Sequence, residues 1–107
     1  MDITYNWIIT EMECYSSAYG ENNVVYKIHW HYEATADSYN AIIRGFTPIP
    51  VSVDTNFIPY NNLTKEIVVQ WLETLNFEQI ESMKTTLQNN IQEQINPTVL
   101  VLSPPWN

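Results

Sequence analysis

The stretch HWHYE places His29, His31 and Glu33 at alternate positions. On a β-strand such residues project from one face. A His-x-His pair there can clasp a divalent metal, with a carboxylate completing a facial triad. Three successive same-face positions span roughly 13 Å, however, which is too far for one ion. Triads of this kind also draw a ligand from another strand, and the chain has only two histidines. The expected arrangement is a polar sheet face flanked by Lys27. His29, His31 and Glu33 are its sole candidates for a metal, and no metal or cofactor is expected. Nucleophilic chemistry has one candidate, Cys14, which could meet His29 or His31 across neighbouring strands. No Asp or Asn is placed to orient the imidazole, and a thiol in an aromatic-rich strand reads as a structural one. Gly20 and Gly45 are isolated, so no phosphate-cradling loop exists. The residues point away from an enzyme.

The elements that would position these residues are legible. In NNVVYKIHWHYEA, Val24, Tyr26, Ile28, Trp30, Tyr32 and Ala34 alternate with Asn23, Val25, Lys27, His29, His31 and Glu33. That period predicts a strand with one buried face. The preceding ITYNWIITEMECY is rich in β-branched and aromatic residues. Its apolar positions run Ile3, Tyr5, Trp7, Ile9 and then change phase to Met12 and Cys14, which predicts a β-bulge near Thr10. SSAYGENN reads as a polar hairpin connection and TADS as a second turn. The third strand, in YNAIIRGFTPIPV, should end near Phe46 or lie at an edge, because Pro48 and Pro50 donate no ladder hydrogen bond.

Beyond the TPIPVSVDTNFIPY connection the period becomes helical. Thr64 is an N-cap for KEIVVQWLETL, with Glu66 in the first turn and Leu63 and Val68 placed as a hydrophobic staple. Ile67, Val68, Trp71, Leu72 and Leu75 share one face. Asn76 ends this helix and can cap the next, whose stripe is Phe77, Ile80, Met83, Leu87, Ile91 and Ile95. Pro97 stops it. The two helices should form an antiparallel-like pair or an angled corner. The fold class that follows is α+β: an antiparallel three-stranded β-meander packed against a helical hairpin. One domain is expected over residues 1–97, with an extended apolar tail over 98–107.

Twelve acids against four bases, net charge −8, provide no basic footprint for nucleic acid or for an anionic membrane. One cysteine excludes an internal disulfide, and the opening MDITYN predicts no secretory leader. The tail INPTVLVLSPPWN carries no charge after Glu93. TVLVL is β-branched without alternation, so both of its faces need cover. It can pack on its own domain as an extra strand or dock on a partner. Apolar side chains left in water forfeit ~1.5–3 kcal/mol each, so a bare tail is unfavourable. The expectation is TVLVL against its own domain and SPPWN nearer a partner. Val99, Leu100, Val101, Leu102, Pro104, Pro105 and Trp106 are the interface candidates, with Trp106 the anchor.

Three stretches, NNVVYKIHW, FIPYNNLTKEIVVQWLE and QINPTVLVLSPPW, together resemble a family of short, uncharacterised, virion-associated proteins of tailed bacteriophages, cyanophages included. The matching positions are Asn23, Val24, Val25, His29, Trp30, Tyr60, Leu63, Thr64, Trp71, Asn96, Pro97 and Trp106. The resemblance implies a non-enzymatic structural protein of a phage particle: a capsid decoration or cement protein, or a tail-accessory subunit. It would be assembled in the host cytoplasm, contact capsid or tail proteins, and form homo-oligomers if copies associate. The alternative is an acidic phage-encoded inhibitor that binds a basic host protein or mimics nucleic acid, with Glu73, Glu78 and Glu81 as its candidate carboxylates.

Overall fold

A computed structural model describes residues 2–18, 20–50 and 58–106. Three antiparallel strands, β1 (Thr4–Ala18), β2 (Glu21–Ala36) and β3 (Tyr39–Pro48), lie in the order β1-β2-β3. They are followed by a short 3-10 turn at Tyr60–Asn62 and two helices, α1 (Lys65–Leu75) and α2 (Phe77–Ile95). This is the expected α+β meander covered by helices. Val51–Phe57, the middle of the proline-rich connection, lie outside the described residues.

The bulge expected near Thr10 is present. Ile9 pairs with Trp30 and Glu11 with His29, leaving Thr10 as the extra residue on β1. Without it, the phase that buries Trp7 would carry Glu11 and Glu13 into the core; with it, Met12 and Cys14 turn inward. A second bulge was not expected. Glu13 pairs with Lys27 and Cys14 with Val25, so Tyr26 is the extra residue on β2 and the register returns to its earlier value. The buried face therefore runs Val25, Ile28, Trp30, Tyr32, Ala34, Ala36, and Tyr26 leaves the alternation for the opposite face. Its carbonyl accepts from Ile49 N–H at 2.8 Å, extending the β3 side beyond Pro48.

The polar connection SSAYGENN is shorter than expected. β1 continues to Ala18 and β2 resumes at Glu21, with Gly20 at φ 78. Asp37, at φ 53, makes the second turn, using the tolerance of aspartate for left-handed backbone. β3 is an edge strand and pairs only from Lys27 to Ala36, so the distal part of the β1–β2 hairpin extends past it. With the tail, this raises the radius of gyration to 19.0 Å, against roughly 13 Å for a compact domain of this length.

Thr64 caps α1 by accepting from Ile67 N–H at 3.3 Å, with Glu66 in the first turn. Val68 and Leu72 from α1, and Ile80, Leu87 and Ile91 from α2, close the inner sheet face. Each fully buried aliphatic contributes about 1.5–3 kcal/mol relative to exposure. The ends of both expected stripes lie outside the core: Leu75, Phe77 and Ile95 are exposed. One residue, Asn76, separates the helices, and its side chain does not cap α2. It donates instead to Thr47 Oγ1 at 3.0 Å and to the Leu72 carbonyl at 2.9 Å. Thr47 also accepts from the buried Trp30 indole N–H at 2.9 Å. This network ties the helix joint to the end of β3.

The tail departs from expectation. Residues 97–106 add no strand to the sheet, and none of them joins the core. The helices already close the centre of the inner sheet face, where Leu72, Leu87 and Ile91 retain at most 1% exposure.

Candidate functional site

Two regions hold the residues singled out by sequence. The first is the outer sheet face, where the paired bulges bring Glu13 beside Lys27 and His29. Glu13 Oε2 lies 2.5 Å from His29 Nε2 and 3.8 Å from Lys27 Nζ. A carboxylate only accepts, so the imidazole hydrogen sits on Nε2. Tyr26 donates its hydroxyl to Glu13 Oε1 at 3.0 Å and stacks on Tyr15 with ring centroids 4.3 Å apart. Lys27 Nζ lies 4.9 Å from the centroid of the Phe46 ring, a cation–π contact. The hydrogen bonds from His29 and then Tyr26 hold the Glu13 carboxyl below its ordinary value, and the same bond raises the Tyr26 phenol.

His29, His31 and Glu33 share this face but do not converge. His29 is committed to Glu13. Glu33 accepts from Asn40 Nδ2 at 3.3 Å, and His31 stands in register between Ile8 and Arg44. Among the described residues no three His, Cys, Asp or Glu side chains are grouped to hold a metal. Cys14 belongs to the opposite, helix-covered face, so neither imidazole reaches it. Burial pushes its thiol up, away from the thiolate a nucleophile needs. On the inner face burial, with Glu73 second, pushes the Tyr32 phenol up to about 12, fixing it as a neutral core residue.

Two of the acids of the inhibitor reading have partners within the chain. Glu73 accepts from Trp7 Nε1 at 2.9 Å, and Glu81 lies 4.0 Å from Lys84 Nζ. Sequence reasoning missed Glu13 as the partner of His29. The only signal was the adjacent pair Val24-Val25, which marks a second break in the alternation.

The second region is the C-terminal arm. Val99, Leu100, Val101, Leu102 and Trp106 are 64–98% exposed, and Pro104 and Pro105 are exposed with them. The root of the arm is fixed by Glu93, whose Oε1 accepts both the backbone N–H and the hydroxyl of Thr98 at 2.7 Å. Those two bonds, the backbone one first, lower the Glu93 carboxyl. Pro97 supplies no N–H to prolong α2, and Gln94 Nε2 anchors the last turn to the Asn40 carbonyl of β3 at 2.7 Å.

The fold is of the α+β class, a three-stranded antiparallel sheet packed against two helices, with an exposed apolar arm rooted on the second. The chain belongs to the family described as "Domain of unknown function (DUF7936)", matched over residues 2–106. No curated protein and no solved structure matches it. Among the described residues no helix is long and apolar enough to cross a membrane.

Proposed function

We propose that this chain is a non-enzymatic structural protein of a tailed phage particle, a capsid decoration or cement protein or a tail-accessory subunit. It docks through its C-terminal arm on larger virion proteins and is assembled in the host cytoplasm. The observation that supports docking is the exposure of five large apolar side chains on an arm its own body leaves uncovered. Burial of that surface is the mechanism; Trp106 is the anchor, since tryptophan dominates interface energetics. The virion setting rests on the resemblance in the N-V-V strand, the L-T helix entry and the N-P…P-W ending. Mass spectrometry of purified particles tests it. A copy number comparable with a shell or tail protein is expected; absence from particles together with early expression would replace this reading with the inhibitor.

A further inference from the structure

Beside the edge of β1 lies a groove of about 420 Å³, lined chiefly by Ile8, Ile9, Met12, Leu63 and Val68. A second hollow of about 350 Å³ adjoins it along α1, reaching Tyr5, Trp7 and Val69, and Lys65 borders both. Together they form a seam along β1 from Tyr5 to Met12, roughly 23 Å at strand spacing. β1 is an edge strand, so the backbone groups on its outer side have no partner in the sheet.

We propose that this seam receives the C-terminal arm of a second copy of the chain, and that two copies exchange arms reciprocally. The proposal rests on the reading of the arm as a docking element and names the partner the arm takes in the free protein, before it docks on a particle. Five observations carry it. The arm from Thr98 to Trp106 spans roughly 26 Å when extended, which matches the seam. Its TVLVL sequence has strand composition, so it can add to the β1 edge while alternate side chains enter the groove. Its five exposed side chains present on the order of 700 Å², close to the ~800 Å² per partner of a standard interface, and reciprocal exchange doubles that area. The chain carries a net charge of −8, and the arm lies in its longest run without an acidic or basic side chain, so it can approach a like-charged neighbour without charge repulsion of its own. Within one chain the arm leaves α2 on the β3 side, anchored by Gln94 to Asn40, whereas the seam lies along β1.

The test is the molar mass of the full chain by light scattering. The full chain should be a dimer, and deletion of residues 99–107 should halve the mass while leaving the circular dichroism of the body unchanged. Ile8→Lys and Leu63→Lys should each give a monomer. An equimolar mixture of the arm-deleted chain with Ile8→Lys should restore a dimer, because each supplies what the other lacks. Should either groove variant fail to fold, a labelled peptide of residues 96–107 provides a second measurement. It must bind the arm-deleted chain and be displaced by unlabelled peptide. A monomeric full chain, a dimer that survives arm deletion, or a peptide that does not bind would overturn the exchange. If the full chain is monomeric yet arm deletion still abolishes association with particles, exchange fails and the docking function stands. If the dimer forms but the chain is absent from particles, the exchange stands and the phage function fails.

Discussion

Glu93 holds Thr98 by two hydrogen bonds of 2.7 Å to one carboxylate oxygen, and so fixes the direction in which the apolar arm leaves the body. The carboxylate accepts from the residue just past Pro97, whose N–H lies beyond the helix's own ladder. This clasp belongs to the arm and not to the core, so its removal should be felt locally. Glu93→Ala should leave the unfolding free energy close to that of the parent, as surface substitutions usually do. It should lower the heteronuclear NOE of Thr98 and the residues after it. Unchanged NOE values would mean that the arm is held by something else.

The same clasp has a pH signature. The folded-state Glu93 carboxyl is depressed below its ordinary 4.5. Its contribution is therefore complete above that value and lost as pH falls through the lower folded value. Glu13 behaves likewise, held down first by its bond to His29. Acid titration of the parent should show a loss of stability beginning near the carboxylate range, and Glu13→Gln should flatten it. An identical acid limb in the variant would remove the Glu13–His29 pair from the account.

Trp30 and Gly45 face one another across the β2–β3 ladder, and a Cβ at position 45 would stand 2.7 Å from Trp30 Cη2. Trp30 is buried, with its indole N–H fixed on Thr47, so the ring cannot swing away without losing that bond. Gly45→Ala should cost about 1–3 kcal/mol in urea unfolding, the usual penalty for overpacking. A variant as stable as the parent would show that the ring has another place to go.

Thr47 is the only buried polar residue of the described core, and it serves Trp30 and Asn76 together. Thr47→Val keeps the shape and strands both donors, so a loss of about 1–3 kcal/mol is expected. Asn76→Ala should cost less, because Thr47 keeps its bond to Trp30. The reverse order of the two losses would contradict the network.

What the sequence disclosed follows from where the information is local. Thr64 caps α1 through a bond to a residue three positions away. The Thr10 bulge is legible because two acids, Glu11 and Glu13, would otherwise enter the core. The Tyr26 bulge is not legible in the same way: Val24, Val25 and Tyr26 are all apolar, so either phase buries something suitable. The Glu13–His29 pair follows from the register that the Thr10 bulge sets, but its diagonal contact between strands is not written in either segment alone. Asn76 looks like a cap locally, but Thr47, far away in sequence, takes its side chain. The expectation that TVLVL would cover its own domain failed because closure of the core is a property of the whole fold. The helices complete its centre, and the groove they leave lies along β1, away from the root of the arm.

The account rests on the arm being buried in the working assembly. Hydrogen–deuterium exchange of the chain within purified particles measures that directly. Slowed exchange across the amides of Thr98–Ser103 and Trp106, relative to the same amides in a free peptide of residues 96–107, is the expected result. Exchange as fast as in the free peptide would show an arm still in water, and would contradict the docking function.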